Sequence, residues 1–316
     1  MQTQPRTNLN LRKAAFSALA CLAASLIAAG CGKSSPGGSG ASAGGKVTLQ
    51  NKGSDTLVNV AQSWAEEYKK LAPQVNVEVA GGGSGQGIAA LIGGTVHLAS
   101  SSRNMKPTEI EDAKKNTGKT PKEFVVGHDA LAIYVHKDSP LTEISFEQLA
   151  AMFAENGTAT KWSQFGTKIP GCDSDEIVRV GRQSSSGTYD FFREHVLANN
   201  DFKQGTREMN GSKEVVELIG NTPCAIGYSG MGYATDKVKM LKVTAKAGQP
   251  AMEPSVANTL SHAYPISRSL LVYTLGEPEG ELKKYVDWIL SDPGQRLVEQ
   301  GGYVPLSAAE RVKKSP

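Results

Sequence analysis

The chain has no run of Lys or Arg interleaved with aromatic residues, so it carries no footprint for nucleic acid. Its 34 basic and 31 acidic residues give a formal charge of +3. That excess lies wholly in the first thirty residues, which hold Arg6, Arg12 and Lys13 and no acid. The remainder is balanced, and net charge implies no acidic partner. The five histidines, His97, His128, His136, His195 and His262, show no ligand-like spacing with cysteine or with one another, so no metal site is expected. GGGSGQG (81–87) has no glycine at the sixth place of any G-x-G-x-x-G frame, and Gly118-Lys119-Thr120 lacks the earlier glycine of a phosphate-cradling P-loop. GYSGM (227–231) lacks the last glycine of a hydrolase elbow. A phosphatase using Ser84 or Ser186 as nucleophile would need a base or a metal beside the serine, and neither motif is present. No cofactor and no enzymatic activity are expected.

What the sequence does contain is ordered from the N-terminus. Residues 1–30 read as a signal peptide, with Arg12-Lys13 flanking an apolar, Ala-rich stretch too short for a confident membrane span. It ends IAAGC, like a bacterial lipobox, with Ala28 where Leu is usual. Cys31 is the expected lipidation site, Cys21 is less suited, and a plain secreted protein is the alternative. Residues 32–45, GKSSPGGSGASAGG, hold nothing that can pack. They read as a flexible tether with an end-to-end distance of roughly 20 Å. Two cysteines remain, Cys172 and Cys224, which an oxidising compartment would allow to pair, the alternative being two free thiols.

From residue 46 onward, strands alternate with helices, which predicts an α/β protein with mainly parallel sheets. KVTLQNKG and VNVEVA read as strands. Between them Leu57, Val60, Ala61, Trp64, Tyr68 and Leu71 form one helical apolar stripe. EFVVGHDALAIYVH reads as two apolar strands close together, and KMLKVTA as one strand. Ser145 and Gln148 make a capping box for the helix SFEQLAAMF.

One junction recurs: an apolar strand, a Ser/Thr/Gly loop, then a helix. It occurs at Gly53-Ser54-Asp55-Thr56, at Gly83-Ser84-Gly85 and at Ser184-Ser185-Ser186-Gly187-Thr188, the last preceded by Arg182. Each alone is an ordinary N-cap. Together they can surround a small tetrahedral anion, because helix N-termini offer unpaired N–H groups and partial positive charge, and small hydroxyl residues add donors.

GSDTL, GGGSGQGIAALI, ASSSRNM, RQSSSGTYDFF, AIGYSG and YPISRSLLVY, in that order, resemble the phosphate-binding proteins of high-affinity phosphate ABC importers. The likeness runs from about Val47 to Val304. It implies a two-lobed type II periplasmic-binding-protein fold with the ligand between two mixed, mainly parallel sheets. One lobe is expected at 46–127 plus 263–316 and the other at 128–262. It implies phosphate contacts from Thr56, the Leu57 N–H, Ser84, Arg182, Ser186, Gly187 and Thr188. The expected partners are inorganic phosphate and the importer's transmembrane permease, with the membrane reached only through the lipid. The body is expected to be an exported monomer, in the periplasm or at the cell surface. One departure stands out: where the best-studied branch of the family carries an Asp that accepts the phosphate proton, this chain reads Ser100-Ser101-Ser102-Arg103. Asp129 is the expected substitute, with a capping or inter-strand role as its alternative and Asp55 and Asp190 as weaker candidates. Arg103 is expected to add a second cation beside Ser102, paired with Asp129.

Overall fold

A computed structural model describes residues 46–246 and 248–312. The tether and Cys31 therefore lie outside the described residues. In the first part of the chain, β1 (Val47–Gly53), α1 (Val58–Leu71), β2 (Val75–Ala80), α2 (Ser84–Ile92), β3 (Leu98–Ser101) and α3 (Pro107–Thr117) alternate strictly. β1 pairs in parallel with β2 and with β3. The apolar face of α1 buries Val60, Ala61, Trp64 and Tyr68. Leu71, expected in that stripe, is 66% exposed, because it is the last residue of the helix and projects past the packed face.

β4 (Pro121–His136) is one sixteen-residue strand rather than the two expected. It pairs with β11 from Pro121 to Ala130 with one register shift, which leaves Val126 unpaired opposite Leu270 and Leu271. The chain continues through β5 (Glu143–Ser145), α4 (Phe146–Phe153), β6 (Val178–Arg182), α5 (Gly187–His195), β7 (Arg207–Met209), α6 (Ser212–Gly220) and β8 (Ala225–Gly230). KMLKVTA is two strands, β9 (Val238–Met240) and β10 (Lys242–Thr244), because Leu241 turns inward between two different partners. After α7 (Val256–Leu260), β11 (Ser267–Leu275) returns to the first part of the sheet, followed by α8 (Gly280–Ile289), α9 (Asp292–Gln300) and α10 (Ala308–Val312).

The mixed sheet runs β2-β1-β3-β11-β4-β8-β6-β7. β4 is shared between its halves. Residues 121–130 pair antiparallel with β11, and 131–136 pair with β8 and β9. Each half has its own core. Leu57, Trp64, Val126, Leu270, Tyr285 and Val298 belong to the first. Ile133, Leu149, Phe153, Trp162, Phe192 and Tyr228 belong to the second. In the second half a disulfide joins Cys172 to Cys224, with the two Cα atoms 5.1 Å apart. No described helix is long and apolar enough to cross a membrane.

Candidate functional site

The three junctions converge. β1 delivers Ser54, Asp55 and Thr56 to the start of α1, β2 delivers Gly81–Gly83 to α2, and β6 delivers Gln183–Ser186 to α5. Across the halves, the Thr56 and Thr188 hydroxyls lie 3.1 Å apart. The Gly85 N–H donates to the Ser185 carbonyl at 2.9 Å, and the Ser185 hydroxyl donates to the Gly82 carbonyl at 3.0 Å. Ser102, just past β3, completes the ring: its N–H donates to Ser84 Oγ at 3.0 Å, and the two hydroxyls are 3.4 Å apart.

Two glycines permit this closeness. Gly83, the N-cap of α2, has φ of 98°, and a Cβ there would sit 2.5 Å from the Ser185 carbonyl oxygen. A Cβ at Gly187 would lie 2.4 Å from Ser84 Oγ and 2.8 Å from Ser102 Oγ.

Among the residues expected at the site, Thr56, Ser84, Ser102, Ser186, Gly187 and Thr188 are brought together and are all buried. Some of their donors are already engaged. The Leu57 N–H donates to the Ser54 carbonyl at 3.1 Å. Ser186 caps α5 by accepting from the Thr188 N–H at 3.2 Å. The capping reading therefore holds for Ser186 alongside the clustering, whereas α1 and α2 start from the N-caps Leu57 and Gly83 with no side-chain cap. On α5, Phe192 packs into the core, stacked on Tyr228 at 4.0 Å, whereas Phe191 lies beneath the guanidinium of Arg268.

The charged residues fall differently from the sequence expectation. At the centre of the hydroxyls stands Arg268 of β11. Its guanidinium donates to Thr188 Oγ1 at 3.0 Å, to Thr56 Oγ1 at 3.3 Å and to the Ser102 carbonyl at 3.4 Å. It also lies 5.6 Å from the Phe191 ring centre, a cation–π arrangement. Arg268 sits within YPISRSLLVY, and the available signal was a lone cation entering an apolar strand. Asp129 pairs with Arg268, not with Arg103: Oδ2 accepts from Nε at 2.9 Å and from a terminal nitrogen at 2.7 Å. Its Oδ1 accepts from the Met231 N–H at 3.0 Å. Burial raises the Asp129 carboxyl above the usual carboxylate range, opposed by the Arg268 charge, its hydrogen bonds and the Met231 N–H.

Arg182 is 1% exposed and largely spent on protein partners. It donates to Asp55 at 2.6 Å, to Ser212 Oγ at 3.0 Å, and to the Asn210 and Met209 carbonyls at 2.8 and 3.3 Å. Burial lowers its affinity for its proton, and Asp55 opposes that. Asp55 in turn accepts from the Gly82 N–H at 2.8 Å. Arg103 is clamped by Glu109 at 2.7 and 2.8 Å and lies 2.8 Å from Asp190. The expected Arg103–Asp129 pair does not form, because β11 interposes Arg268.

Two surface cavities among the described residues lie elsewhere. One of about 530 Å³ is lined by Lys70, Leu71, Trp288 and Arg296, and one of about 380 Å³ by Arg103, Lys106, Asp190 and Arg193. The polar cluster is enclosed between the halves, and its chemistry marks it as the candidate site: five hydroxyls around a buried guanidinium, groups of the kind that bind an anion once their present partners yield. Among the described residues, no group of three or more His, Cys, Asp or Glu is placed to hold a metal ion.

Comparison with known proteins gives the architecture its place. A family model described as PBP superfamily domain matches residues 38–293. The phosphate-binding protein PstS of Pseudomonas aeruginosa is 37% identical over 279 residues, 84% of this chain and 86% of that protein. Protein SphX of Synechococcus elongatus is 30% identical, over 81% and 77% of the two chains. Among solved structures, a putative phosphate ABC transporter substrate-binding protein with bound phosphate from Clostridium perfringens superposes with a TM-score of 0.72 at 27% identity. It covers 82% of this chain and 100% of that one. An ABC-type phosphate transport receptor from Vibrio cholerae gives 0.64 at 25% identity, over 82% and 100%.

Proposed function

Because the chain belongs to the PBP superfamily and, within it, to the PstS family of phosphate-binding proteins, we propose that it captures inorganic phosphate between its lobes and hands it to an ABC permease. The family is one of binding proteins, and no bond need be made or broken. The observation that carries the reading is the convergence of Thr56, Ser102 and Thr188 on Arg268, with Ser84 against Ser102 and three helix starts around them. Hydroxyls and a guanidinium supply donors in many directions, which suits a tetrahedral anion. Arg182 serves as a second positive charge behind the ring, held by Asp55. A division into lobes near the boundaries expected at 127/128 and 262/263 is supported by β4, which changes partners between Ala130 and Leu131. Closure of the lobes is the state a permease would recognise. The body would work as an exported monomer tethered by a lipid on Cys31, in the periplasm or at the cell surface.

A second reading, a less selective oxyanion binder, has its own support. Asp129, Asp55 and Asp190 each pair with a protein cation, which makes each a poorer acceptor for the phosphate proton. Asp129 then positions Arg268 rather than meeting the ligand, and the hydroxyl of Ser102 stands where the best-studied branch of the family carries its acceptor. A hydroxyl can donate or accept, so it penalises sulfate less than a carboxylate would.

Calorimetric titration near pH 7 with phosphate and then sulfate tests both readings. Saturable phosphate binding with sulfate silent supports a phosphate importer component. Binding of both supports the general clamp, and binding of neither removes the function. Asp129→Asn should move both affinities by similar factors; a loss confined to phosphate would restore Asp129 as the proton acceptor.

A further inference from the structure

Apart from the anion ring, three ion pairs among the described residues cross between the halves, two of them meeting on Asp190. Asp55 of the β1–α1 loop meets Arg182 of β6 and is enclosed with it. Arg103, just past β3, meets Asp190 in the first turn of α5, on the outer side of the ring. This second pair has a distinct construction. Arg103 is 9% exposed, and both oxygens of Glu109 fix its terminal nitrogens. Glu109 is itself held by the Lys106 N–H at 2.7 Å, at the start of α3. The fork is thereby oriented before it reaches Asp190. The Arg103 Nε atom lies 2.8 Å from Asp190 Oδ2, but its N–H is not directed at the oxygen, so the contact is an attraction between charges rather than an aligned hydrogen bond. Lys106 adds a second cation 3.6 Å from the same oxygen. The outer side of the pair opens into the cavity of about 380 Å³, so salt can reach it.

Asp190 lies on the same first turn as Gly187 and Thr188, which meet Ser84, Ser102 and Arg268. Whatever fixes Asp190 fixes the second half's share of the anion ring. We infer that Arg103 and Asp190 form a latch that holds the lobes closed and sets how fast a bound anion leaves, with Glu109 as the residue that positions Arg103. Arg103 is thus a positioning residue and not a ligand. The inference rests on the reading of the ring as an anion site that opens and closes.

Such a latch forms only once the lobes meet, so it should govern escape and not encounter. In stopped-flow measurements with inorganic phosphate, Asp190→Asn should raise the release rate about fivefold to tenfold and leave the association rate within about twofold. Glu109→Gln should act in the same direction. In the double variant R103Q/D190N, release should be no faster than in the faster single variant, because both remove one contact. Raising salt should speed release from the wild type and leave D190N unmoved. An unchanged release rate in D190N, or additive effects in the double variant, overturns the latch while leaving the anion site intact. If the wild type does not bind phosphate, the reading of the ring fails, and small-angle scattering without ligand judges the latch alone. A D190N particle larger than wild type supports it, and one of equal size overturns it.

Discussion

Arg268 carries a demand that no other residue in the ring shares: its five N–H groups must serve Asp129, two threonine hydroxyls and a carbonyl at once. Lysine keeps the charge but has no planar fork. Arg268→Lys should therefore weaken phosphate binding by about 10- to 100-fold, roughly 1.4 to 2.8 kcal/mol, as read by calorimetry. The neighbouring constraint is steric. Gly187→Ala puts a methyl group within reach of Ser84 Oγ and Ser102 Oγ, where the nearest distance would be 2.4 Å. The halves would have to part to admit it, so affinity should fall at least about tenfold while the melting temperature changes by only a few degrees. At this scale the hydroxyl residues were legible in the sequence, because small polar residues between a strand and a helix have few other uses. The ion pairs were not. Which acid meets which arginine depends on β11 returning from more than a hundred residues away to lie beside β4, and no local pattern encodes that.

Among the elements, α3 and α5 show how a helix start can be put to structural use. Burial raises the Glu109 carboxyl, but the Arg103 hydrogen bonds and charge and the Lys106 N–H outweigh it, and the net value lies below the usual carboxylate range. The sign follows from linkage. A depressed folded value means that the contribution of Glu109 is fully present above its unfolded value of about 4.3 and is lost as pH falls through the lower folded value. The stability difference between wild type and Glu109→Gln, measured by denaturant unfolding, should be constant from pH 7 to about pH 5 and should shrink in more acid solution. Lys106 and Asp190 face the same clamp, so the comparison is with the variant and not with the absolute curve. The elements themselves were largely readable. VNVEVA is β2 residue for residue, and the Ser145–Gln148 capping box forms with bonds of 2.9 and 3.1 Å. β4 was misread as two strands because Gly127-His128-Asp129 looks like a break, whereas its polar side chains are absorbed by specific partners, His128 by Glu310 and Asp129 by Arg268.

On the scale of the whole molecule, the α/β class and the two-lobed family fold followed from strand–helix alternation and from the ordered motifs, because that order is a property of the chain and not of its contacts. The strand order constrains the sequence in which the molecule is assembled. β11 lies between β3 and β4, so the first half, although it begins the chain, lacks an inner strand until residues 267–275 are available. The second half draws its paired strands from a single continuous stretch, 131–244. A chain threaded through a membrane N-terminus first would expose an unfinished sheet edge at β3 for most of its passage, while the later segment could close on itself at once. In refolding followed by pulsed hydrogen exchange, amides of β6 and β8 should gain protection before those of β1 and β3. Simultaneous protection would mean that the two halves nucleate together through β4.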